Sequence, residues 1–163
     1  LQVVTGLSMG GSLALRLAQL EKVAGVSLVN PSIGSDEIVY RFAGLLSKFV
    51  PAAKGIGSDI LKPGVTEPAY PMAPLKAVAS MRELWGLVDA NLDRVTVPVQ
   101  LFTSRVDHVV DGYSGRVLRE RLRNLADDHW LEDSYHVATM DNDAQFIFER
   151  SAEFVAELLR GRP

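Results

Sequence analysis

The chain has 163 residues, 47% hydrophobic and 23% charged, enough for about one globular domain with a real core. A formal net charge of −3 offers no basic surface for nucleic acid or anionic lipid, and the absence of cysteine excludes disulfides, a thiolate nucleophile and thiolate metal sites. No apolar run reaches the length of a membrane span and no signal peptide is visible, so stable membrane insertion is not expected, and the absence of cysteine fits a cytoplasmic setting.

The first stretch organises the rest. Val3-Val4-Thr5 is an extended β-branched run that passes through Gly6-Leu7-Ser8-Met9-Gly10 into an apolar helix from Met9 to Leu20. Strand, G-x-S-x-G and helix in that order hold a serine on a sharp turn, its Oγ free at the carboxyl end of the strand. Gly6 and Gly10 are expected to make room for that turn. The amide of Met9, at the start of the helix, is expected to face whatever Ser8 attacks and to form part of an oxyanion hole. Leu13, Ala14, Leu15, Leu17 and Ala18 leave little polar face, which predicts a helix buried nearly all round. Because Leu1 is not methionine and falls inside a strand, the chain is expected to be the carboxyl-terminal part of a longer protein.

Val23 to Asn30 is a short apolar run that stops at Pro31, as a strand buried on both faces would. Alternation of apolar strands and helices predicts βαβ units around a parallel sheet. The rhythm then changes. Ile38, Phe42, Leu45, Leu46 and Phe49 recur at helical spacing after Asp36 and Glu37, prolines and glycines break the chain from Pro51 to Pro74, and a second helix is expected from Pro74 through Val78, Met81, Leu84, Trp85 and Val88. So long a connection between two sheet strands reads as a lid or cap, with ordinary packing helices as the alternative. Met72, Met81, Trp85, Tyr40 or Phe42 would line an apolar acyl pocket beneath it, and Leu7 and Val109 are placed with Met72, Met81 and Trp85 as substrate-binding residues.

Val95 to Thr103 is the next expected strand, with Pro98 near its start. Leu118, Leu122 and Leu125 predict a helix with a core-facing stripe, and its Arg116, Arg119, Glu120, Arg121 and Arg123 side reads as a solvated face. His129 to Glu132 is expected as a last short strand. The final helix is expected from Asp141-Asn142-Asp143 to Arg160-Gly161.

A serine hydroxyl becomes a nucleophile when an imidazole can take its proton, and the imidazole needs a carboxylate to fix its tautomer. Of three histidines, His108 sits beside an acidic residue on one strand end and His129 opens a strand. His136 follows that strand in a loop at the carboxyl edge, where open parallel sheets place their sites. His136 is therefore the expected base. Asp107, just past the preceding strand, is the expected acid. Asp111 suits a cap for the helix starting near Gly112, and Asp141 suits the start of the last helix or a brace for the histidine loop. Asp127, Asp128 and Asp133 read as turn residues. Ser8, Asp107 and His136 stand in the chain order nucleophile, acid, base.

These segments resemble the α/β-hydrolases, nearest the bacterial carboxylesterase and monoacylglycerol lipase branch. Gly6-Leu7-Ser8-Met9-Gly10-Gly11 is similar to the family's elbow, Ser104 to Val110 to its acid loop, and Ser134 to Asp141 to its histidine loop. The resemblance covers essentially the whole chain, while the lid matches in position and character only. It implies an α/β fold, a mostly parallel sheet flanked by helices, with hydrolase core at 1–32 and 95–163 and a helical lid at 33–94. It also implies that the strands ahead of the elbow, and the loop donating a second oxyanion amide, are missing and would be needed for a complete site. The activity implied is hydrolysis of small-molecule carboxylic esters, short or medium acyl esters or monoacylglycerols, with no cofactor and no metal. Thioesterase, lysophospholipase and carbon–carbon hydrolase chemistry stay open within the same machinery. The rival from another class is a non-catalytic binding or interaction module that keeps the fold without turnover.

Overall fold

The structure, a computed structural model, describes residues 2–36, 52–54 and 57–161. Four strands, β1 (Val3–Leu7), β2 (Gly25–Val29), β5 (Val99–Ser104) and β6 (Leu125–Leu131), lie side by side in the order β1-β2-β5-β6, every neighbouring pair parallel. A short antiparallel pair, β3 (Ala52–Lys54) and β4 (Met72–Pro74), lies between β2 and β5 in the sequence. The helices are α1 (Met9–Leu20), α2 (Leu75–Asp89), α3 (Tyr113–Arg121) and α4 (Ala144–Arg160).

Every residue of β2 is buried, as expected of an inner parallel strand covered on both faces. Alternate residues feed two clusters. Val26 and Leu28 of β2 and Val99 and Leu101 of β5 join Leu15 of α1, Val88 of α2 and Leu118 of α3. Val29 and Phe102 instead meet Leu131, Ala138 and Ile147 of the α4 side. The period of two along each strand divides the core between the two faces of the sheet.

Three expectations are corrected. Helix α1 is not buried all round: Gly11, Ser12, Ala14, Leu15 and Ala18 face inward, but Met9, Leu13, Leu17 and Leu20 are 41–57% exposed on an outward stripe of helical spacing. Leu125 does not belong to the helix before it. Helix α3 stops at Arg121, and Leu125 opens β6, opposite Val99. Asp127 and Asp128 are therefore strand residues, tolerated because β6 is an edge strand and both carboxylates have partners. Gln100 Nε2 donates to Asp127 at 2.9 Å, and Arg119 holds Asp128 through two nitrogens. As expected, α4 starts directly after Asp141-Asn142-Asp143, with Asp143 as its N-cap, and ends at Arg160 before Gly161.

Strand β5 starts after Pro98, which has no amide to give the ladder, and a 3-10 turn (Leu92–Arg94) takes up the chain before it. The expected helix over Ile38 to Phe49 lies outside the described residues. Arg116 and Arg119 do form a paired, partly solvated face, with Asp36 and Asp128 each 2.8 Å away.

Candidate active site

Ser8, Asp107 and His136 each follow the end of a strand, β1, β5 and β6 respectively, so the parallel sheet delivers all three to its carboxyl edge. Ser8 has φ 54° and ψ −122°, a conformation that a residue with a side chain adopts at a cost of about 1–3 kcal/mol. Backbone bonds hold it there. Its amide donates to the Val29 carbonyl at 3.1 Å, and its own carbonyl accepts from Gly11 at 2.9 Å and Ser32 at 3.0 Å. Ser12 Oγ also donates to the Ser32 carbonyl. A side chain at Gly6 would stand 2.2 Å from the Gly10 carbonyl oxygen, and one at Gly11 would stand 2.6 Å from Pro31 Cβ. Gly10 itself faces open space. The room expected from Gly6 and Gly10 is thus required at Gly6 and Gly11. Helix α1 begins at Met9, whose amide falls among those a helix start leaves without an intrahelical acceptor.

His136 Nδ1 lies 2.8 Å from Asp107 Oδ2, with both side chains about nine-tenths buried. The other oxygen of Asp107 accepts the amides of Val109 and Val110, each at 2.8 Å, so the acid loop folds round its own carboxylate. With Nδ1 on the carboxylate, Nε2 is the ring nitrogen left for a reacting hydroxyl.

Three further residues hold these loops. Asn30, closing β2 at φ 42° and 3% exposed, donates to the His136 carbonyl at 2.8 Å and Ser104 Oγ at 2.9 Å, and accepts the Ser104 amide at 2.7 Å. Asp141 gathers four amides, those of Leu61, Lys62, Tyr135 and Asn142, at 2.7–2.9 Å. Burial pushes its carboxyl up, but those donors outweigh it and hold the group below its ordinary value. The brace expected of Asp141 is therefore present. Asp59, from the long connection, accepts the amides of both His108 and His136 at 3.1 Å. Nothing local marks Asp59, whereas Asn30 had one signal: a polar amide closing an otherwise apolar strand. Asp111 accepts the Tyr113 amide at 3.1 Å at the start of α3, and its other oxygen takes Ser35 Oγ at 2.6 Å.

Beside Ser8 lies a cavity of about 80 Å³ whose walls include Met81 and Trp85 of α2 and Val109, Val110 and Asp111 of the acid loop. Leu7 and Met72 are not among its walls. Leu7 packs against the cluster of Val29 and Phe102, and Met72 is 51% exposed on β4. Tyr40 and Phe42 lie outside the described residues. A second cavity, about 260 Å³, adjoins the other side of the acid loop, but Asn30, Thr103, Ser104 and Arg119 in its wall already bond to protein partners. Among the described residues, no group of three or more His, Asp or Glu could hold a metal ion, and no helix is long and apolar enough to cross a membrane.

The sequence profile of the alpha/beta hydrolase family matches residues 1–156. The chain belongs to that family. It is 35% identical over 158 residues to a thermostable monoacylglycerol lipase of Bacillus sp. (strain H-257), covering 94% of this chain and 62% of that protein. To a carboxylesterase of Bacillus subtilis (strain 168) it is 24% identical over 158 residues, covering 94% and 63%. Among solved structures, one described under two metagenome-derived lipolytic enzymes superposes with a TM-score of 0.88 at 34% identity, covering 95% of this chain and 64% of that one. A Paleococcus ferrophilus monoacylglycerol lipase has a TM-score of 0.72 at 19% identity, covering 97% and 68%, a likeness of fold. This alpha/beta hydrolase thus spans somewhat over three-fifths of the length of the curated relatives it matches.

Proposed function

We propose that the protein is a serine esterase acting on short or medium acyl esters or monoacylglycerols. Ser8 Oγ bonds to the ester carbonyl carbon while His136 Nε2 takes its proton, and Asp107 holds the imidazole in the required tautomer. The Met9 amide stabilises the oxyanion. The alcohol leaves with the proton from His136; water, deprotonated by His136, then splits the acyl-enzyme, freeing the acid and Ser8. The long connection between β2 and β5 serves as lid, and Met81, Trp85 and Val109 form the acyl wall. The observation that carries this reading is the 2.8 Å bond from buried His136 to buried Asp107, at the same sheet edge as a serine in a strained turn. The names of the lipase and esterase relatives support the ester class.

The test is a fluorophosphonate probe with mass spectrometry. An adduct is expected on Ser8, lost in Ser8→Ala and strongly slowed in His136→Ala, with ester hydrolysis down by at least about a thousandfold in either variant. Hydrolysis that survives Ser8→Ala unaltered overturns the mechanism. A folded chain that neither labels nor turns over favours the non-catalytic module.

A further inference from the structure

Asp59 lies in the connection between β2 and α2, 49 residues before His108 and 77 before His136. Its side chain is 13% exposed, and it does four things at once. Oδ2 accepts the His108 amide and the His136 amide, each at 3.1 Å. Oδ1 lies 2.8 Å from His108 Nδ1. The backbone carbonyl accepts the Val137 amide at 3.1 Å. Leu61 and Lys62, just beyond, are fixed by Asp141, which also holds Tyr135 of the histidine loop.

One carboxylate therefore bonds the acid loop one residue past Asp107 and the histidine loop at His136 itself. The Asp107–His136 hydrogen bond joins these two loops, and its geometry depends on their separation. A group that bonds both backbones beside that pair sets the separation. Burial pushes the Asp59 carboxyl up, but the bonds from the His108 backbone, the His108 ring and the His136 backbone, together with the His108 charge, outweigh it and lower it. It stays ionised at neutral pH, as an acceptor for several donors should. The His108 ring, edge-on to Tyr135 at 4.7 Å, completes the clamp from the solvent side.

We propose that Asp59 is a positioning residue, a carboxylate from the connecting segment that clamps the acid loop at His108 to the histidine loop at His136 and so aligns the His136 imidazole on Asp107. The connecting segment then helps set the catalytic geometry as well as covering the site. The catalytic part of this statement rests on the function proposed above.

The experiment compares the full chain with Asp59→Ala, Asp59→Asn and His108→Ala. It reads amide hydrogen exchange at His136 and Val137, the imidazole Nδ1–H resonance of His136, the fluorophosphonate labelling rate at Ser8, and kcat and KM on an ester. In Asp59→Ala, exchange at His136 is expected to accelerate about tenfold or more and the Nδ1–H resonance to shift or broaden. Labelling and kcat fall about tenfold, with KM within about twofold. Asparagine, which keeps one acceptor oxygen, restores part of the rate. His108→Ala, at an exposed ring, loses less than Asp59→Ala. Exchange, resonance and labelling that match the parent in a cooperatively melting Asp59→Ala overturn the proposal, as does loss of cooperative melting in both Asp59 variants. A parent chain that never labels sinks the esterase reading alone, because exchange and the Nδ1–H resonance still decide whether Asp59 clamps the loops.

Discussion

The turn that carries Ser8 is held by backbone, while the loops that carry Asp107 and His136 are held by side chains, Asn30 and Asp59 among them from distant parts of the chain. Around Ser8, the bonds run from its own amide and carbonyl to Val29, Gly11 and Ser32, and two glycines allow the close approach. Around the acid and the histidine, Asn30, Asp59 and Asp141 reach across 74 to 106 residues, 49 to 77 residues and 6 to 80 residues respectively. The two devices fail differently. A strained turn tolerates no added atom at the point of contact but asks little of the rest of the chain. A loop held by carboxylates tolerates changes of volume, but not loss of charge.

The sharpest way to break the first device is Gly6→Ala. Its methyl would sit 2.2 Å from the Gly10 carbonyl oxygen, and the atom it meets is backbone, which cannot swing aside. The expected cost is about 3 kcal/mol or more, read as a fall in the urea midpoint, with labelling of Ser8 abolished. A variant that melts like the parent and still labels would mean the elbow is not held by close packing at this glycine.

This contrast also explains what could be read in advance. The elbow lies within a dozen consecutive residues, so strand, turn and helix announce themselves in the sequence, and the order Ser8, Asp107, His136 follows once each strand end is found. Asn30 and Asp59 carry no such local pattern: one closes a strand, the other sits in a stretch without regular secondary structure, and only the fold brings them to the loops. The wrong assignment of Leu125 to α3 has a related cause. Leu118, Leu122 and Leu125 keep helical spacing, but the β5–β6 register wins, placing Leu125 opposite Val99 and half-burying one side of a strand that includes Asp127 and Asp128. Leu13 and Leu17 stand outside the core although the sequence predicts a helix buried nearly all round, because apolarity on all sides of a helix says nothing about which sides have a neighbour.

The second device is tested by acid. Asp141 is 1% exposed, and its carboxyl sits below the ordinary value because its four amide donors outweigh burial. A group whose folded value is lowered contributes stability that is fully present above its unfolded value and is lost as the pH falls through the folded one. Asp141→Asn, which removes the charge but little volume, should cost about 2 kcal/mol at neutral pH. Urea titrations of parent and variant should converge as the pH drops below about 4. Parallel curves over that whole range would mean the carboxylate is not what holds Tyr135, Leu61 and Lys62 together.

The smallest effect is expected at the glycine closest in kind to Gly6. Gly10 is the second glycine of the same motif, yet a methyl there meets nothing within 4 Å among the described residues. It lies in the first turn of α1, where replacing glycine by alanine removes backbone freedom from the unfolded chain and favours the helix by up to about 1 kcal/mol. Gly10→Ala should therefore melt at or slightly above the parent and keep the Ser8 backbone bonds to Val29 and Ser32, while Gly6→Ala loses them. Motif position alone would predict equal damage at both glycines; contact geometry predicts damage at one. A urea midpoint for Gly10→Ala that falls as far as that of Gly6→Ala would show that the turn needs freedom at both ends, and that the backbone device extends one turn further into the helix than the contacts around Gly6 and Gly11 require.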